Sequence, residues 1–289
     1  MIVRLDGITR RAFVARSATF FSSLALPRWT GAAPAPVSVR IGVASAPTLP
    51  RDQQLGLQLG LDEARHAATL FGGAIVETPI GSPERIDAGL SAIIGAGDEQ
   101  SSLAWTRRAG EAHTIYMNVG CASDRLRQEA CSPAAFHIAP SDAMIHDALR
   151  AAQVGSKTRA ESWDAGLTRF GADTLNQRFL TRFNEPMTPG AWNAWFAVKV
   201  VWESALRQHS GDAPRISEYL LRESTQFDGH KGTPLSFRSW DHQLRQPLYV
   251  VGGGALKQIP DLAGDASVRD ALDRLGASTR AVSCGTSHE

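Results

Sequence analysis

Between residues 37 and 153, short strand-like runs alternate with helix-like stripes, and this alternation constrains the fold more than any other feature. Residues 37–45 place Val37, Val39, Ile41 and Val43 at every second position, the period of a strand. In 51–71, Leu57, Leu61, Ala64, Ala68 and Phe71 recur at steps of four and three, one stripe of a helix that Gly72-Gly73 ends. The unit repeats as strand 74–80 with helix 83–91, then strand 92–96 with helix 99–112. Strand 114–119 leads into a polar segment; strand 135–139 meets Pro140, and Ser141 caps a helix over 142–153. This order predicts an α/β fold with a parallel sheet and helices on both faces. Ligands of such sheets sit beyond the carboxyl ends of the strands. Here those ends are the loops Ser45–Asp52, Gly95–Ser102, Asn118–Asp124 and Pro140–Asp142.

The second half reads differently. Residues 156–189 are polar and helical in pattern, and a helix over 190–208 follows Pro189. It carries Trp192, Trp195 and Trp202 at helical spacing, the pattern of a buried face. A short helix spans 214–223. Pro234–Trp240 and Leu244–Val251 alternate around Asp241-His242-Gln243, which predicts an antiparallel hairpin. Residues 252–289 are rich in Gly and Ala, with one weak helix at 266–276.

The N-terminus has its own logic. Arg10-Arg11 precede a weakly apolar stretch from Ala15 to Leu26, then Pro27 and the small residues Gly31-Ala-Ala-Pro-Ala35. This is the pattern of a twin-arginine export signal over residues 1–35, and it places the protein in the periplasm. Removing the signal takes five Arg and one Asp and leaves the remainder at a charge of −3, against +1 for the whole chain. No surplus of cations is available to hold nucleic acid. No uncharged apolar run in the mature chain reaches the ~20 residues that span a bilayer.

No catalytic pattern emerges, and the reading is of a protein that is not an enzyme. The eight His are scattered, with no His-Glu-x-x-His, no Cys-x-x-Cys, no nucleophile elbow and no phosphate-binding Gly-Lys-Ser/Thr loop. Neither a metal nor a cofactor is expected. Gly95-Ala-Gly97-Asp begins like a dinucleotide fingerprint but lacks its third Gly and follows the third strand. His137, inside a strand, reads as a core residue. In an oxidising compartment two of Cys121, Cys131 and Cys284 are expected to pair, and three pairings are open. Cys131 with Cys284 is favoured, because a tail so close to the C-terminus stays mobile unless it is tied.

Several stretches are similar to one family: Thr48-Leu-Pro-Arg-Asp52, Tyr116-Met-Asn-Val-Gly120, His137-Ile-Ala-Pro-Ser-Asp-Ala-Met144, Phe170–Phe179, and Phe227-Asp-Gly-His-Lys-Gly232. The most specific piece is Leu235-Ser-Phe-Arg-Ser-Trp240 with Gln243-Leu-Arg-Gln-Pro247. Across most of 37–259 the chain resembles the periplasmic substrate-binding proteins of the branched-chain amino acid type. Its closest likeness is to the branch found with pyrroloquinoline-quinone-dependent alcohol dehydrogenase systems. The resemblance implies two Rossmann-like lobes closing on a small ligand for delivery to an ABC transporter. Residues 36–155 correspond to the first lobe and 156–289 to a helical segment, hairpin and tail, the remnant of a second. A full lobe needs on the order of a hundred residues, and this tail supplies few parallel strands.

Together these readings imply an exported, non-catalytic solute-binding component of an ABC transporter, possible partners being its permease or a periplasmic dehydrogenase. The alternative is a degenerate binding-fold protein that acts as a periplasmic interaction partner without a transport role. The expected ligand is a small polar solute, amino-acid-like or a small organic acid, touching Ser45, Gly97, Ser101, Ser102 and Asn118 at the strand ends. Asp98 and Glu99 at the start of the third helix favour an ammonium-bearing zwitterion over a phosphate.

Overall fold

Val39, Ile41 and Val43 are buried in β1 (Ser38–Ala44), where they meet the apolar stripe of α1 (Arg51–Phe71). The chain continues through β2 (Ala74–Ile80), β3 (Ala92–Gly95), α2 (Glu99–Glu111), β4 (Tyr116–Asn118), β5 (Ala135–His137) and α3 (Asp142–Ala152). The five strands form one parallel sheet in the order β2-β1-β3-β4-β5. The computed structural model describes residues 36–44, 49–153, 158–252, 254–262, 267–276 and 284, all within one compact unit. The proposed export signal lies outside the described residues.

Ser141 caps α3 as its sequence predicts, accepting from Met144 N at 3.2 Å. The predicted helix over 83–91 is a correction: only a 3-10 turn, Pro83–Arg85, forms. Gly89 breaks it in the left-handed region (φ +83°). Phe71, the last of the predicted stripe, is 68% exposed where α1 ends in its Gly72 cap.

Past α3, the predicted helical segment resolves into β6 (Arg159–Glu161) and α4 (Ala172–Phe183), a second correction. Next come α5 (Pro189–Gln208), α6 (Ala213–Leu221), β7 (Phe227–Asp228), β8 (Pro234–Phe237), β9 (Leu244–Arg245), β10 (Leu248–Gly252), β11 (Ala255–Ile259) and α7 (Val268–Asp273). The hairpin is shorter than predicted. β8 pairs with β9 only over Ser236–Arg245 and Phe237–Leu244, and β10 leaves to pair with β11 and β6. Pro247, which has no N–H for a ladder, stands between β9 and β10.

α5 buries Trp192, Trp195, Phe196, Val200 and Trp202 against the sheet and α1. The two helices touch through Gly56 and Gly60, where a Cβ would meet Ala191 O at 1.9 Å and Val198 Cβ at 2.9 Å. A smaller apolar cluster, including Trp105, Ala109 and Tyr116, covers the opposite face of the sheet beneath α2.

The stretch Phe237–Pro247 is a structural clamp. Asp273 of α7 accepts from Arg245 Nε at 2.7 Å and Arg238 Nε at 3.2 Å, and Arg238 also pairs with Asp241 at 3.4 Å. Both guanidinium groups lie over the Trp240 ring, 5.5 and 5.1 Å from its centroid. Cys131, in the loop before β5, and Cys284 form a disulfide with Cα atoms 5.2 Å apart. Cys284 N also donates to Trp240 O at 2.7 Å. Cys121 is buried outside that pair.

Candidate functional site at the strand ends

In the order β2-β1-β3-β4-β5 the connections reverse direction between β1 and β3. Such a switch point opens a crevice at the carboxyl ends of the two strands. Here the ends are Ala44 and Gly95, which face one another: a Cβ on Gly95 would lie 3.1 Å from that of Ala44.

Beyond β3 the chain turns through Gly97, whose φ of +146° suits glycine, and enters α2. Asp98 caps that helix by accepting from Ser101 N at 2.8 Å. This bond holds the Asp98 carboxyl below its usual range. Glu99 is lowered chiefly by Ser123 Oγ, which donates to it at 2.6 Å, and then by Arg125 at 2.8 Å. The start of α2 therefore carries two ionised carboxylates of its own.

Of the predicted ligand-facing residues, Gly97, Ser101 and Ser102 come together at this junction, while Ser45 lies outside the described residues. Ser101 is partly exposed. Ser102 is fully buried near Tyr116, and neither hydroxyl makes a hydrogen bond among the described residues. Burial raises the Tyr116 phenol above its usual range, and the Ser102 contact offsets part of that shift.

Asn118 is also fully buried, and its amide closes its own loop. Oδ1 accepts from Gly120 N (3.1 Å) and Cys121 N (2.8 Å), and Nδ2 donates to Cys121 O (2.8 Å). Nδ2 also meets His137 Nδ1 at 3.1 Å. Because Oδ1 takes two N–H groups, Nδ2 is the donor and His137 Nδ1 the acceptor. Burial, with the Arg127 charge nearby, keeps that imidazole neutral by holding it well below its usual range. A local side-chain bond thus takes up the polar capacity that the sequence reading assigned to a ligand.

The carboxyl ends of β4 and β5 are closed by side chains from distant parts of the chain. Asn193 of α5 donates to Val119 O at 3.1 Å, and Gln246 to Ile138 O at 2.6 Å. Gln243 donates to His137 O and Ala139 O, both at 3.1 Å. Arg127, fully buried, donates to Gln243 Oε1 (2.7 Å), Ala139 O (2.8 Å), Ser123 O (2.9 Å) and Cys121 O (3.2 Å). Burial among these neutral acceptors lowers its guanidinium to about 10.

Beside β1 and β2 no such closing side chain is found among the described residues. A cleft of about 440 Å³ is floored by Val43, Ala44, Leu57 and Leu61, with Gln54, Gln58, Arg65 and Glu77 among its polar lining. Arg65 pairs with Glu77 at 3.1 Å. Gln53, outside this cleft and against Gly120 and Gly190, is buried with its Oε1 free of hydrogen bonds among the described residues. These glutamines escaped the sequence reading; the available signal was their place on α1 beside the buried stripe, in the first turns after a strand end.

No protein-family model matches the chain, and no curated protein sequence matches it. Solved structures do. LivJ of Streptococcus pneumoniae, the substrate-binding protein of a branched-chain amino acid transporter, solved with isoleucine, aligns over 77% of this chain and 98% of its own at 11% identity and a TM-score of 0.59. An ABC-type branched-chain amino acid transporter from Rhodopseudomonas palustris aligns over 76% and 95% at 15% identity, with a TM-score of 0.61. A periplasmic ligand-binding protein of a branched-chain amino acid ABC transporter from Burkholderia xenovorans aligns over 77% and 94% at 9% identity, with a TM-score of 0.62. The chain therefore has the α/β fold of the type I periplasmic binding proteins, a Rossmann-like parallel-sheet lobe joined to a truncated, mainly helical second part with a β-hairpin.

Proposed function

We propose that this chain is an exported, non-catalytic solute-binding component of an ABC importer that takes an amino-acid-like solute or small organic acid. The observation that carries the reading is the cleft beside β1 and β2, which joins an apolar floor to the paired charges of Arg65 and Glu77. An aliphatic side chain suits the floor, while Arg65 suits a carboxylate and Glu77 an ammonium. Gly97 and Ser101, at the start of α2, are proposed as the solute's polar contacts, while Ser45 lies outside the described residues. With the second part truncated, affinity is no tighter than about micromolar.

Calorimetry with isoleucine, leucine and small carboxylic acids tests this on wild type and on Ser101→Trp. Ser102→Trp is unsuitable, because Ser102 is fully buried and the ring would disrupt the fold. Saturable binding lost in Ser101→Trp supports the reading; binding indifferent to it places the solute elsewhere.

The permease partner follows from this reading. A tie to pyrroloquinoline-quinone-dependent alcohol oxidation, with a periplasmic dehydrogenase as partner, rests on the resemblance over Phe227–Pro247. Growth of a deletion strain on alcohols is its test. Export through residues 1–35 is tested by Arg10→Lys with Arg11→Lys, which should leave precursor in the cytoplasm. A second reading, an interaction partner without a transport role, draws on the closed ends of β4 and β5. A flat thermal response to every solute favours it.

A further inference from the structure

Lys231 lies in the loop between β7 and β8 and is 1% exposed. Its Nζ donates to Ser162 O, to Gln246 Oε1 at 2.6 Å and to Pro247 O at 3.4 Å. These acceptors match the three N–H donors of an ammonium. The Trp192 ring covers the group, its centroid 3.8 Å from Nζ, and the Tyr249 ring lies at 5.5 Å. Among the described residues no carboxylate pairs with it. A buried cation held by carbonyl oxygens and an aromatic face is how a binding site receives an amine, whereas a structural ion pair would supply a counter-charge.

The location agrees with this. Gln246 donates through its amide to Ile138 O, beyond β5. Ser162 Oγ donates to Asn193 Oδ1 at 2.8 Å, and Asn193 in turn donates to Val119 O, beyond β4. The Lys231 amine therefore sits one and two side chains away from the carboxyl ends of the two strands. The recognising groups are also held independently of Lys231. Trp192 stacks with Trp163 and with Phe196 (centroids 5.8 and 4.8 Å) and donates to Gly229 O at 3.2 Å.

We propose that Lys231 is a tethered ligand: its terminal amine fills an ammonium-recognition seat at the ends of β4 and β5, and that seat takes a primary alkylammonium from solution once the side chain is removed. This goes beyond the solute reading, which concerns the cleft beside β1 and β2, and either can fail alone.

Lys231→Ala deletes n-propylammonium, and that ion is the probe. Melting of Lys231→Ala should rise saturably, by roughly 3–6 °C at ten times the ion's Kd. Wild type and Lys231→Met, whose seats remain filled, should not respond, and 1-propanol should have no effect on any of the three. An unresponsive Lys231→Ala overturns the proposal. So does an equal shift with 1-propanol, which would indicate cavity filling alone, or an equal shift in wild type. If Lys231→Ala does not fold, it is refolded with and without n-propylammonium: recovery with the ion supports the seat, and no recovery overturns it.

Discussion

Gly56 of α1 rests on the backbone of Ala191 at the start of α5, so close that a Cβ at position 56 would lie 1.9 Å from the Ala191 carbonyl oxygen. The obstacle is backbone on a second helix, and no rotamer relieves it. Gly56→Ala should therefore lower stability by about 3 kcal/mol or prevent folding. Gly110 on α2 is the contrast: its nearest neighbour would be Ala134 Cβ at 3.6 Å, an ordinary contact. There the same substitution should stabilise by up to about 1 kcal/mol through helix propensity. Urea denaturation of both variants checks the opposite signs, and a stabilised Gly56→Ala contradicts the packing described.

Asp273 is shared by Arg238 and Arg245, all three buried. Among the described residues, Asp273→Asn leaves the two buried guanidinium groups with Asp241, 3.4 Å from Arg238, as their paired carboxylate. A loss of about 3–5 kcal/mol is expected, and a change under 1 kcal/mol in denaturant midpoints would show that the clamp is dispensable.

Burial pushes the Lys231 amine well below its usual 10.5. Between that lowered value and the ordinary one, the unfolded chain binds more protons than the folded chain, so this group makes stability rise with pH. As pH rises toward 10.5, stability should climb more steeply in wild type than in Lys231→Met. Parallel curves would contradict the burial of a titrating amine.

Cys131 and Cys284 are 153 residues apart. Closing so long a loop constrains the unfolded chain, and Cys284→Ser should cost about 2–5 kcal/mol. Peptide mapping without reduction should recover one joined Cys131–Cys284 peptide and an unmodified Cys121. A Cys121–Cys131 peptide would refute the pairing.

Much of the first lobe was legible because its cues are local. The alternation from Val37 to Val43 and the stripe from Leu57 to Ala68 each declare a period within one element. β6 and β11 carried no such cue: three and five residues are too short to show a period. The hairpin was misjudged because its second strand is two, split at Pro247, and β10 takes its partners from elsewhere. At the site, Gly97 and Asp98 announced a turn and a helix start. No pattern of residues shows that Asn118 bonds to its own loop, or that Gln246 reaches Ile138 O from 108 residues away.

The closure of the sheet by Gln243 and Gln246 governs the order in which a nascent chain can finish folding. When residue 155 leaves the ribosome all five parallel strands have been made, yet the carbonyls of Val119, His137 and Ile138 still lack the donors supplied by Asn193, Gln243 and Gln246. His137 N likewise awaits His242 O. Buried backbone groups without partners are costly, so the N-terminal half stays incomplete until about residue 246 has been translated. Completion is set by the last third of the message, and a ribosome stalled before it would hold a sheet still open at its carboxyl edge.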